Sequence, residues 1–315
     1  MSMLRSLVAP AALIVLAAGS AQAQFLMVPD FTADRIMLFS AQDGSLVNAN
    51  FITEPNSAYI NNAKDVIQVG NQVWISDQPN NRVVRFDYPT QTWLSPINGN
   101  GALNLANLRG MEVVGNTVYL ANAGAGFGKS IVTIDATTAA ITGSFAIASN
   151  NSPWDIKKVG NELFISNYET GSNSTSRVDR YSLAGSFLGN VITTNNASSG
   201  LAGPQQITLK SNGNLLIGGF SGTTNTGIYE YTTSGTLVNF FAGGLGQRGA
   251  QELGDGNVLF TKGDGVFVYN VGDNIFSPSI TGANSHYINP TNLPAPGAMG
   301  VLALTGLAAA RRRRA

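Results

Sequence analysis

Short apolar runs bounded by turn residues recur along this chain. The sharpest follows Gly-Asn and closes on a small residue and then Asp or Asn. It stands at Val69-Gly70-Asn71-Gln72-Val73-Trp74-Ile75-Ser76-Asp77, and again over 114–122 and 159–167, a repeat of 45 residues. Looser copies follow over 212–218 and 255–261. Runs this short between Gly and Asn predict strands rather than helices. Gly-Asn between two such runs predicts a tight hairpin, because both residues tolerate positive φ. An opening strand precedes each turn, as over 154–159. A third strand alternates, as in Arg82-Val83-Val84-Arg85-Phe86-Asp87. A fourth follows a turn such as Thr142-Gly143 or Ala184-Gly185.

Four short strands at this period describe one blade of a β-propeller. The copies resemble the NHL and YVTN type of blade. Five units carry the Gly-Asn turn, and a sixth at the N-terminal end has three strands over 25–29, 35–39 and 45–52. Its opening strand is missing there. Ser285-His286-Tyr287-Ile288-Asn289 mirrors Ser57-Ala58-Tyr59-Ile60-Asn61, which leads into the opening strand of the second unit. The expected fold is therefore all-β: a six-bladed β-propeller over 24–292, closed by a C-terminal strand near 286–292 that completes blade one. Such closure leaves no bare sheet edge at the join. Seven blades is the alternative if 190–250 holds two merged units.

Composition agrees. Charged residues make up 11% of the 315, and Gly alone contributes 36, which suits turns and strands. Apolar content of 43% permits a sizeable core. The chain has no cysteine, which excludes disulfides, thiolate metal sites and cysteine nucleophiles. Five of its 18 basic residues, Arg5 and Arg311 to Arg314, lie in terminal segments that hold no acid. The body keeps 13 against 18, a net of −5. A mildly acidic body without a basic run does not suit nucleic acid, whose phosphates need clustered Lys and Arg.

The ends read as addresses. Residues 1–23 carry Arg5, an apolar run over 7–18, and Ala21-Gln22-Ala23, which together predict a signal peptide cut by signal peptidase before Gln24. Residues 293–315 hold Pro294-Ala295-Pro296-Gly297, an apolar run over 298–310, and Arg311, Arg312, Arg313 and Arg314. Their order resembles the PEP-CTERM sorting signal, with Ala295 where that family usually has Glu. The resemblance implies an exosortase-type processing enzyme, transient membrane contact through the tail, a cell-surface or extracellular destination, and a biofilm matrix setting. An apolar run before an Arg cluster is independently suited to a membrane stop with the arginines on the cytoplasmic side.

Candidate chemistry lies where the opening strands begin, because in NHL-like propellers these line the central channel. The positions are Asp65, Gly110, Asp155, Gln206 and Gly249, with Glu112 and Gln205 nearby. Asp65, Asp155 and Gln206 are candidate ligands for a cation such as calcium, which takes several oxygens. The other reading makes them strand-end caps or partners of channel water. Propellers of the gluconolactonase type hold a divalent cation in this region and hydrolyse lactones by metal-assisted attack of water. His286 is the chain's single histidine and is expected as a partly exposed strand residue. Trp74, Tyr119 and Phe164 repeat as inter-blade core, and Asp77, Asn122 and Asn167 as turn acceptors. Trp154 suits either a sugar platform or burial between blades. Gly124 to Lys129 lacks the spacing of a P-loop and is expected as a loop. Loops over 168–176 and 193–203 are long and polar, and such loops on a rigid scaffold often carry binding. The expected role is an exported binding or scaffold module taking a carbohydrate or an envelope protein. The alternative is a metal-dependent, lactonase-like hydrolase.

Overall fold

The computed structural model describes residues 24–54, 58–99, 103–124, 129–148, 151–169, 172–193, 200–220, 226–244 and 246–293. The expected signal peptide lies outside the described residues. So does the sorting tail from Pro294 onward, with Pro296 and Arg311 to Arg314.

Six four-stranded antiparallel sheets follow one another, and the described residues contain no helix. Blade 2 spans 63–97, blade 3 spans 108–146, blade 4 spans 153–193, blade 5 spans 204–241 and blade 6 spans 250–281. Blade 1 takes three strands from 25–53 and its innermost from Asn289–Thr291. There Met27, Leu26 and Phe25 pair with Asn289, Pro290 and Thr291. The stretch 190–250 holds one complete blade, so six blades is the count and the closing strand is where the repeat pattern put it.

The Gly-Asn pair makes a two-residue hairpin in blades 2, 3 and 4, with Val69 opposite Gln72, Val114 opposite Thr117, and Val159 opposite Glu162. Gly70, Gly115 and Gly160 have φ of 58° or 59°, while the following Asn stays at negative φ. That is the geometry with Gly at the first central position, matched to the twist of the flanking strands. Blades 5 and 6 differ from the expectation. Leu209 pairs with Leu215, and Glu252 with Val258, across five-residue loops in which Gly213 and Gly256 carry the positive φ.

The core lies between blades. Six buried clusters each join one blade to the next around the ring, including one between blades 6 and 1. Trp74, Tyr119 and Phe164 are buried in three of these seams, as expected from their repeat. Burial fades outward. The second strand of blade 2 is almost wholly buried, whereas the outermost strand of blade 5 is exposed at four of its five positions.

Candidate functional site: the channel mouth and its plug

Each opening strand of blades 2 to 5 bulges as it enters the channel. Lys64-Asp65 together oppose Ser76, Arg109-Gly110 oppose Ala121, and Gln205-Gln206 oppose Gly218. In blade 4, Trp154 is the extra residue. An unpaired residue re-aims side chains, and here it produces two layers. By register the outer layer is Lys64, Arg109, Trp154, Gln205, Arg248 and His286. The inner layer is Asp65, Gly110, Asp155, Gln206, Gly249 and Tyr287. The sequence-predicted ligands thus share the inner layer.

Those side chains clasp neighbouring blades. Asp65 accepts from the Met111 amide of blade 3 at 2.6 Å, its own neighbour Val66 at 2.9 Å, and the Asn289 side chain at 2.6 Å. Asp155 accepts from the Ile207 amide of blade 5 at 2.8 Å. Gln206 is bonded at both ends, accepting from the Ile288 amide at 2.9 Å and donating to the Ile288 carbonyl at 2.7 Å. Ser76, Ser166 and Thr261 hydroxyls receive the amides of Asp65, Asp155 and Gly249. Gly110 and Gly249 have a clear purpose: a Cβ at Gly110 would overlap the Asp155 carboxyl, and one at Gly249 would press on Gln206 Oε1. The closing segment completes the plug. Tyr287, in blade 1, reaches across the channel and donates its hydroxyl to the Trp154 carbonyl of blade 4 at 3.2 Å.

Burial dominates the electrostatics of this layer. It pushes the Asp65 carboxyl up to about 7, against the pull of the three donated hydrogen bonds. It holds Asp155 well above the usual carboxylate range, with the Asp65 charge as the next cause. Among the described residues no three His, Cys, Asp or Glu side chains gather closely enough to hold a metal. A cation at Asp65, Asp155 and Gln206 would have to displace the protein donors that already occupy their oxygens. Glu112 is engaged elsewhere, with Lys157 Nζ at 3.1 Å and the Lys158 amide at 3.1 Å.

The outer layer is cationic. Lys64 Nζ lies 3.3 and 3.5 Å from the two ring nitrogens of His286 and 4.5 Å from the Phe31 ring centroid. Burial, then the charges of Arg248 and Arg109, lower its amine to about 7. Arg109 is 4% exposed and stacks on Trp154 at 3.5 Å; Trp154 in turn stacks on Tyr168. Arg109 donates to the Pro153 carbonyl at 3.1 Å. Burial lowers its guanidinium to about 10. Arg248 donates to Asn284 Oδ1 and to the Ser285 carbonyl. His286 is 2% exposed, not the partly exposed strand residue expected, because the closing segment turns it into the channel against Lys64 and Phe31. Burial first, then Lys64 and Arg248, hold it well below its ordinary value and neutral. Trp154 is buried as a support for Arg109, with its indole N–H on the Tyr168 carbonyl. Lys64, Arg109 and Arg248 are not signalled by the sequence reading, although they sit one residue before three of its five channel positions, Asp65, Gly110 and Gly249. Lining up the copies one residue earlier would have shown them.

No family model matches this chain, and no curated protein matches it in sequence. Solved structures do resemble it. A chain of the nidogen/laminin complex superposes with a TM-score of 0.62 at 12% identity, covering 86% of this chain and 99% of that one. A streptogramin B lyase gives 0.53 at 13%, covering 86% and 85%. The extracellular domain of a one-component system from B. thetaiotaomicron gives 0.53 at 13%, covering 82% of this chain and 33% of that one. What is common at these identities is the fold: this chain is a six-bladed β-propeller.

Proposed function

We propose that this propeller is an exported binding module of the cell envelope or extracellular matrix, taking its ligand at the channel mouth, with no chemistry of its own. One observation carries the reading: six blades each contribute one residue to a mouth whose floor is sealed by inter-blade hydrogen bonds. A sealed floor on a rigid ring gives a fixed, preorganised surface, which lowers the entropic cost of association. The residues that a hydrolase would need as cation ligands are spent on holding that floor. The export part of the proposal is supported by the form of residues 1–23 and 294–315, with signal peptidase and an exosortase-type enzyme as processing partners and the tail as a transient membrane contact. A neighbour of the same fold is an extracellular domain. The ligand class is an envelope carbohydrate or protein.

The test has two parts. The immobilised chain should retain a component of an envelope or matrix extract saturably, and it should not turn over a panel of lactones with or without calcium. Calcium-dependent lactone turnover that Asp155→Asn abolishes would replace this reading with the hydrolase. In parallel, a tagged chain should be found outside the cytoplasm, and removal of residues 294–315 should change where it resides.

A further inference from the structure

We infer that the channel mouth is a receptor for an oxyanion, a carboxylate or a phosphate or sulfate group, held between the guanidinium groups of Arg109 and Arg248 with Lys64 beside them. The inference deepens the binding role proposed above and rests on it.

The first ground is uncompensated charge. Described ion pairs engage Arg35, Arg82, Lys129, Lys157, Arg180, Lys210 and Lys262. None engages Lys64, Arg109 or Arg248. Glu169, the acid that acts on Arg109, is the weakest influence on it and is held by Lys129 and the Ser152 amide. Removing a cation from water without a counter-charge is costly. The three stand in one outer layer on blades 2, 3 and 6, with Lys64 against the His286 ring and Arg248 on the adjoining Ser285 carbonyl.

The second ground is unspent donors. Arg109 is 4% exposed and its Nε has no partner among the described residues; the same is true of Arg248 Nε. Each guanidinium offers five N–H groups in a planar fork suited to two oxygens of one anion. Arg109 spends one on the Pro153 carbonyl, and Arg248 spends those of one nitrogen on Asn284 and Ser285. Stacking of Arg109 on Trp154, and of Trp154 on Tyr168, fixes the plane of one fork before any ligand arrives. The third ground is access. A cleft of about 420 Å³ opens beside Arg248, lined by Phe220, Gly246, Lys262, Gly263 and Asp264. Of the three cations Arg248 lines it, so an anion would enter on that side.

The test titrates the purified chain with sodium phosphate, sodium sulfate and sodium glucuronate at constant ionic strength, with glucose and sodium chloride as controls, by calorimetry and melting midpoint. Saturable one-site binding of the tetrahedral anions, of glucuronate, or of both is the expected result, and which of them binds tells the source of the oxyanion. Arg109→Gln with Arg248→Gln should weaken binding at least tenfold, while Lys158→Gln leaves it unchanged. If the double variant does not fold, Arg248→Met alone, at a half-buried position, should weaken binding at least threefold. No binding above the chloride control, or binding that these variants leave intact, overturns the inference. The two proposals fail separately. Retention of an envelope component without any anion binding removes the receptor and keeps the binding module. Anion binding without retention of any component keeps the receptor and removes the envelope role.

Discussion

Acidic and basic residues of the channel hold their protons abnormally, and they make opposite demands on pH. Asp65 has a folded value near 7 against an ordinary 3.8, so its contribution to stability is complete below about 4 and is lost as pH rises through 7. Asp155 shifts the same way. Lys64 has a folded value near 7 against 10.5, so its contribution is complete above about 10.5 and is lost as pH falls toward 7. Between pH 5 and 7 the carboxyl pair should dominate. The urea midpoint should fall as pH rises across that window, and Asp65→Asn with Asp155→Asn should remove or reverse the fall, because His286, held neutral in the fold, makes stability rise with pH through 6.5. An equal slope in the double variant would remove the pair as its source. Lys64 also predicts how an anion should bind. It faces His286, Arg248, Arg109 and the Phe31 ring, and of the three titratable neighbours His286 is neutral. A bound anion favours the ammonium, so affinity should drop as pH rises past 7, with proton uptake on binding near and above pH 7, where the free Lys64 amine is not already charged. Calorimetry in two buffers of different ionisation enthalpy measures that uptake, and Lys64→Met should abolish it.

At the scale of a strand and its turn, two kinds of glycine do different work. Gly70 has φ of 58° and open space where a Cβ would go, so Gly70→Ala costs backbone strain alone, roughly 1–2 kcal/mol. Gly70→Asn should recover little of that, because the first position of such a turn has ψ of about −120°, outside the left-handed region that Asn enters. Gly110 has ordinary φ but no space, so Gly110→Ala should cost about 1–3 kcal/mol through overpacking against Asp155. Gly110→Asn should be worse, not better. Chemical denaturation of the four variants reads both contrasts. The same difference explains what the sequence disclosed. Turn glycines announce themselves locally, beside Asn and between apolar runs, so the blades of 45 residues were legible. Gly110 and Gly249 take their meaning from side chains on other blades, and nothing near them in the chain signals it. The turns of blades 5 and 6 were misread for a related reason: Gly-Asn closes a longer loop there, and the dipeptide alone does not specify loop length. Asp65, Asp155 and Gln206 stand where the opening strands bulge, but most of their partners are backbone groups of other blades, which leave no mark in a sequence. His286 looked like an exposed strand residue because its burial depends on Phe31 and Lys64, more than 200 positions away.

For the whole molecule, the segment 285–293 matters beyond the three residues that pair with blade 1. It bonds to Lys64, Gln68 and Asp65 of blade 2, to Trp154 of blade 4, to Gln206 of blade 5, and to Lys262 of blade 6. Tyr287→Phe removes one of these bonds and leaves the Trp154 carbonyl unpaired, which should cost about 1–3 kcal/mol. Ending the chain at 284 removes all of them and bares the edge of Phe25–Asp30. That chain should not unfold as one cooperative unit, and size-exclusion chromatography should show it associating through the open edge. A truncated chain that stays monomeric and melts sharply would mean that the blades stack without their seam. The number of blades was readable because the missing strand of the first unit reappears at the other end of the body. The tie to four further blades was not, since it depends on side chains that cross the channel.

The late position of that closing segment also sets a timetable. Its partners on blades 1 and 2 lie more than 220 residues earlier in the chain, and every such contact must wait for the intervening blades to be in place. Folding dominated by pairings this distant is slow, because loop-closure entropy is lost before any contact repays it. A chain that is still emerging, from a ribosome or across a membrane, cannot close its ring until its last blade is through. The protein therefore spends its synthesis in an open, unclosed form and commits to its final shape only at the end.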